Sequence, residues 1–391
     1  MIPITKKNKF LLKPNKKTNK SRSIIKIFFL LLVFIILALY LFISRSLFHN
    51  LNILDLFKDT FCSFGPGDGF PISTNGFINT VNFGISGRTA LVLSNTEFSY
   101  ISPKSKIISK INHNFSNPLM ISSGKRTLIF DCGGIDFKIV TKSRVIINDK
   151  TEQKITAAAI SPCGVFGFIT ESDEYNCEML IIDQNNKKKY KYYFSKLHVS
   201  DIAISTNGCS AIICGFCVEN NEIKSIIQIL NFKSKTPEFT HEVLNNPIIS
   251  VNYFSNGNAV LVGEKSLIFI NKNKNIKEFS YDSKQLCFAS VNNEIGIAIS
   301  VSPMNDERDQ QILILSKNGK KILFIETNKK LKSLVFSDNY ISVLSENKAL
   351  IYNLNGNLNF QKKVPIATKK IAAFSGSKAF VLGEGEVDLL S

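Results

Sequence analysis

The sequence predicts an all-β fold, a β-propeller of about eight four-stranded blades, preceded by one transmembrane helix. Three observations predict it. One long apolar stretch with a basic flank stands near the N-terminus. Beyond residue 76 no stretch has helical periodicity; apolar runs of four to eight residues alternate with Gly, Asn, Ser and Lys, as strands alternate with turns. One strand–turn–strand unit, its turn opened by Ser, recurs eight times.

The apolar stretch comes first. Ile27 to Ile43 reads IFFLLLVFIILALYLFI, seventeen residues without a charge. With Ile24 and Ile25 beyond Lys26, whose stem can lie along apolar surface, the span reaches the ~20 residues that cross a bilayer core. Residues 1–26 hold nine Lys or Arg and no acid, whereas the rest holds 39 basic and 31 acidic residues. Basic flanks stay in the cytosol. The expected order is a cytosolic tail over 1–26, a transmembrane helix over 27–44 that contacts the lipid bilayer, and an extracytoplasmic remainder held at the cell membrane. A cleaved signal peptide has a core of about 7–15 apolar residues followed by small ones. This core is longer and stays bulky to its end, so an uncleaved signal-anchor is expected. Residues 45–64 read as a juxtamembrane stalk, with Leu47, Leu51 and Leu54 at helical spacing.

The repeat follows, over 65–391. Its copies begin VNFGISGRTALVLS (81–94), PLMISSGKRTLIFD (118–131) and AAAISPCGVFGFIT (157–170). The turn serines are Ser86, Ser122, Ser161, Ser205, Ser255, Ser290, Ser337 and Ser375, with a mean spacing near 41 residues. That period suits a propeller blade of four strands. Most copies continue into two further strands, as in SLIFIN (266–271) and IKEFSY (276–281). Each small sheet is apolar on both faces and has to stack on neighbours around a closed ring. After Ser375 only sixteen residues remain, enough for two strands and not three. The missing outer strand is expected from FPIST (70–74). Seven blades is the alternative if the weak copy at 286–300 is not a blade; a sandwich or solenoid is the other way to bury such repeats.

Two segments carry a resemblance, GPGDGFPIS (65–73) and LIFDCGGIDFKIV (128–140), the second with an Asp-x-Gly-Gly turn before a strand. With the anchor, they make the chain similar to an uncharacterised family of bacterial, single-pass membrane-anchored, propeller-like proteins, a family of unknown function. The resemblance implies a secreted-side propeller with no assigned activity, cofactor or site residues. Trp is absent, which argues against Trp-Asp repeats and quinone-enzyme propellers.

Candidate chemistry is sparse. In Gly65-Pro66-Gly67-Asp68-Gly69 the glycines do not run into a helix, as a phosphate cradle requires, because Phe70-Pro71 follows; a turn is expected. Gly133-Gly134 reads as a hairpin turn. Cys214-Gly-Phe-Cys217 ends a strand, where a separation of three puts the thiols on opposite faces, and no second Cys pair or His pair completes a metal site. The eight cysteines read as free, buried thiols. His49, His113, His198 and His241 are scattered. Glu171, Asp173 and Glu174, and again Asp306, Glu307 and Asp309, read as solvated loops rather than catalytic or calcium-binding groups. No catalytic, cofactor or metal site is therefore expected. The net charge of +17 is concentrated in the tail, and no basic stripe with interleaved aromatics suggests nucleic acid. The expected function is a binding or scaffold module for an envelope protein or glycan; the alternative is an envelope enzyme, a glycan hydrolase or lyase, with its site at the channel.

Overall fold

The computed structural model describes residues 19–43, 59, 62–219 and 222–391. The chain divides into two units, 1–53 and 54–391. Most of the expected tail (1–18), the last residue of the expected transmembrane span (44) and most of the expected stalk (45–58, 60 and 61) lie outside the described residues.

In the first unit, α1 runs over Asn19–Ile43, starting eight residues before the expected span. Its side chains are described over 26–38. The eleven from Ile27 to Leu37 are all exposed, so this stretch is apolar all round. Among the described residues, no helix is long and apolar enough to cross a membrane.

The second unit is an eight-bladed β-propeller, each blade a four-stranded antiparallel sheet. From the axis outward the strands are A to D. Blades 1 to 3 have A strands Phe83–Ser86, Pro118–Ser123 and Ile155–Ile160. Blades 4 to 6 follow with His198–Ile204, Ile248–Tyr253 and Lys284–Asn292. Blades 7 and 8 have Leu331–Ser337 and Lys370–Ser375. The weak copy at 286–300 is strands A and B of blade 6, so the count is eight and not seven.

Ring closure works as the sequence predicts. The D strand of blade 8 is Ile72–Ser73, paired with Val387 and Glu386 of the last strand, Glu386–Leu390. The first strand of the propeller thus completes the blade built by its last residues.

Each seam between neighbouring blades holds its own apolar cluster, eight clusters for eight seams. Period-two alternation explains this. In blade 3, Phe166 and Phe168 face blade 2, while Met179 and Ile181 face blade 4. Both faces of each sheet are therefore buried, as the continuous apolar runs require. The rings of Phe137, Phe166 and Phe168 lie 4.7–5.9 Å apart across the seam of blades 2 and 3.

The repeated serine has a mechanical role. Some copies fasten one inner strand to the next: Ser337 Oγ donates to Ala373 O at 2.5 Å, and Ser290 Oγ accepts from Phe336 N at 2.9 Å. Others close their own turn, as when Ser161 Oγ donates to Val165 O. Asp201, on the A strand of blade 4, does the same work, accepting from Val251 N of blade 5 and from Ile202 N, both at 2.9 Å.

The antiparallel order fixes two faces. The front carries the A–B and C–D turns; the back carries the B–C turns and the D–A connections. The incoming chain crosses from one to the other. On the front, Gly67 N donates to Lys104 O and Gly69 N to Ser105 Oγ, each at 2.8 Å, while Lys106 Nζ donates to the carbonyls of Cys62 and Phe64. A Cβ on Gly67 would stand 2.2 Å from Ser105 O, so only glycine lets the strap lie this close. On the back, Phe77 and Asn95 bond to each other.

Candidate functional site

Apolar exposure distinguishes the two faces. Among the described residues of the propeller, nine large apolar side chains are more than half exposed. One, Phe64, belongs to the front strap. The other eight (Phe77, Val81, Val218, Ile223, Leu244, Ile249, Met304 and Ile366) all lie at back-face turns, connections or strand ends. Scattered exposed apolar residues need no explanation, but a one-sided concentration marks an interaction surface.

The largest back-face feature is the B–C hairpin of blade 4. Its strands, Ser210–Glu219 and Glu222–Asn231, have ten residues each, whereas the B strand of blade 5, Ala259–Gly263, has five. The extra length carries Phe216, Val218 and Ile223, with Val218 directly opposite Ile223. Val218 and Ile223 are 65% and 68% exposed. Alternation puts Phe216 and Val218 on the side of Ile212 and Cys214, which pack towards blade 5. His198 stacks on Phe216 with ring centroids 5.6 Å apart. Lys224 pairs with Glu219 at 3.2 Å and Glu242 at 3.5 Å, leaving the tip with surplus negative charge.

A second feature lies at blades 7, 8 and 1. Lys332 and Lys370 hold equivalent positions on adjacent inner strands, each five residues before the turn serine. Lys332 Nζ donates to Ile366 O and Lys370 Nζ to Thr80 O, both at 2.8 Å. Lys369 Nζ stands 5.3 Å from the Phe77 ring centroid. Burial lowers the Lys370 ammonium to a pKa of about 8.

The inner strands also share a β-bulge. A register shift near the back end of the A strand occurs in blades 3 to 7. The extra residues are Thr156, Ser200, Ile249, Cys287 and Lys332, which have no common chemistry and so left no signal in the sequence. Such bulges bend a strand and re-aim a side chain.

The sequence candidates resolve structurally. Cys214 packs towards blade 5 and Cys217 towards blade 3, on opposite faces as expected. Burial, and then Asp201, push the Cys214 thiol up to about 12, so it is not a nucleophile at neutral pH. The expectation of buried thiols needs correction: all eight cysteines are unpaired, but only Cys177, Cys214 and Cys217 are buried, and Cys209 is exposed. The turn after Asp131 docks on blade 3 through Gly133 N to Ile155 O and Ile155 N to Gly134 O, both 2.7 Å. Glu171, Asp173 and Glu174 sit in the B–C loop of blade 3, where Lys154 lies 3.8 Å from Glu171 and Gln153 bonds Asp173. Glu307 pairs with Lys330. Among the described residues, no three His, Cys, Asp or Glu gather where a metal ion could be held. His113 is a core group: its Nε2 lies 3.1 Å from Ser94 O, its Nδ1 accepts from Phe115 N, and burial lowers its pKa. His49 lies outside the described residues.

A front-face cavity of about 530 Å³ lies between blades 1 and 2, lined by Asp59, Phe64, Tyr100, Lys125 and Lys142 among others. Asp59 Oδ1 accepts from Ser143 N at 3.0 Å. Desolvation lowers the Lys142 ammonium; Asp59 partly offsets it. Tyr100 is buried there and its hydroxyl donates to Thr127 Oγ1 at 2.9 Å. The strap itself forms one wall.

A family model matches residues 75–389, almost the whole propeller. The chain belongs to DUF5711, a family of unknown function. The match includes LIFDCGGIDFKIV and begins after GPGDGFPIS. Among curated proteins no sequence relative is found. The propeller is similar to the C-terminal WD40 domain of Sif2, with a TM-score of 0.58, 11% identity, and coverage of 83% of this chain and 98% of that one. It is also similar to Saccharomyces cerevisiae Sqt1, at 0.56 and 11%, covering 83% and 99%. BamB from Moraxella catarrhalis gives 0.49 and 12%, covering 82% and 99%. At these identities the likeness shows the fold alone. Absence of Trp thus excludes the Trp-Asp repeat sequence without excluding its geometry.

Proposed function

We propose that this chain is a membrane-anchored, extracytoplasmic binding module whose back face docks an envelope protein. One observation carries the docking: eight of the nine most exposed apolar side chains of the propeller's described residues share that face. Val, Ile, Leu and Met predominate among them, which suits a protein partner better than a hydrated glycan. The fold supplies a rigid ring that presents loops without moving them.

The membrane part of the proposal rests on α1. Eleven consecutive exposed apolar side chains, Ile27 to Leu37, need a cover that water cannot provide. The basic residues of 1–26 favour a cytosolic N-terminus. Carbonate-washed membranes should retain the protein, and a membrane-impermeant maleimide should label exposed Cys209 in spheroplasts. Release by carbonate, or labelling only after lysis, contradicts anchoring and orientation respectively. Docking is tested by photocrosslinking residues placed at 218 and 223 in intact cells. A discrete adduct is expected; adducts only from front-face positions would contradict it.

A further inference from the structure

We infer that the partner segment received at blades 7, 8 and 1 is acidic and carries apolar residues between its acids. This rests on the docking reading and names the chemistry of the partner.

Some lysines of the ring meet carboxylates, as Lys110 meets Glu97, Lys191 meets Glu178 and Lys224 meets Glu219, and others meet main-chain carbonyls, as Lys106 does on the front. At blades 7, 8 and 1 three lysines without carboxylates come together. Among the described residues, Lys332, Lys369 and Lys370 form no ion pair; they meet two main-chain carbonyls and an aromatic ring. A carbonyl occupies one N–H of an ammonium and leaves two donors and the full charge. Repeating the device on adjacent inner strands sets uncompensated cations side by side at one rim.

Apolar groups are interleaved with these cations at bonding distance. The residue whose carbonyl receives Lys332 is Ile366, the most exposed large apolar residue among the propeller's described residues at 79%. The ring beneath Lys369 is Phe77, and Thr80, which receives Lys370, precedes exposed Val81. The complement of such a surface alternates carboxylates with apolar side chains.

Shape separates a peptide from a flat anionic membrane. Lys369 and Lys370 are recessed, while the ten-residue strands of blade 4 extend on the same face. A planar surface meeting that hairpin does not reach the recessed ammoniums; a chain does.

The test uses the full-length protein in detergent micelles and a labelled twelve-residue peptide alternating Glu with Leu or Phe. The same peptide with Gln for Glu, polyphosphate, and vesicles of anionic lipid serve as comparisons. The Glu peptide should bind more tightly than the Gln peptide, polyphosphate or vesicles. Binding should weaken on the order of tenfold in Lys332→Gln/Lys370→Gln. Gln keeps a donor for each carbonyl, and an unchanged melting temperature verifies the fold. A photoreactive wild-type experiment needs no variant: a group on the peptide should mark segments containing Ile366 or Phe77–Val81. Equal binding of the Glu and Gln peptides, preferential binding of polyphosphate or vesicles, or marking of the front face would overturn the inference. If the in-cell crosslinks from 218 and 223 persist alongside such a result, the docking reading stands and only the acidic chemistry falls.

Discussion

The front and back of the ring are made by one repeat yet differ in kind. On the front, the turn serines bond to strands of the same or the next blade, and the strap from Gly67 to Gly69 is bonded to the C–D turn of blade 1. On the back, one hairpin is longer than its counterparts, five inner strands are bulged and apolar side chains stand in solvent. The difference separates two duties. The front and the seams hold the ring, and the back departs from the repeat wherever holding is not at stake.

Variants that break this division should rank by how far they reach into the holding parts. Phe168→Ala empties a three-ring contact in the seam of blades 2 and 3. It should cost about 3–5 kcal/mol, read as a lowered denaturation midpoint. The carboxyl of Asp201 comes next. Burial raises its pKa to about 6, opposed by its two backbone N–H bonds. A raised carboxyl pKa contributes stability that is full below its unfolded value near 4 and is lost as pH rises through about 6. The wild type should therefore lose up to about 3 kcal/mol between pH 4 and pH 7 on this group's account. Asp201→Asn should flatten that window in urea melts taken across it. Gly67→Ala should cost about 1–3 kcal/mol, because the strap has to lift from Ser105. Val218→Ser with Ile223→Ser should change stability by less than about 0.5 kcal/mol, yet abolish the in-cell adduct from a photocrosslinking residue at position 366. A large stability loss there would show that the hairpin holds the ring, and the contrast between faces would fail.

The architecture was legible because it follows from period and burial. Ser86 to Ser375 marked the blades, two-sided apolar runs such as ALVLS required stacking, and the shortfall after Ser375 called for FPIST as the closing strand. The back face was less legible. The hairpin did leave a signal, since apolar residues continue past Gly215 in CGFCVENNEIKSII, within the same run as Cys214 and Cys217. The bulges left none, because any residue type can be the extra one. The lysine rim was hidden for another reason: Lys332 and Lys370 are 38 positions apart in sequence and become neighbours only when blades 7 and 8 stack. The partner of the Gly67 strap was equally invisible, being set by a turn 36 residues downstream of Gly69.

The central claim is that one face binds and the other holds. The most direct measurement places a photocrosslinking residue in intact cells at four positions: 223 and 366 on the back, 125 and 142 on the front. Adducts of the same protein from both back-face positions, and none from the front, are the predicted result. Adducts from 125 and 142 with none from 223 and 366 would contradict it.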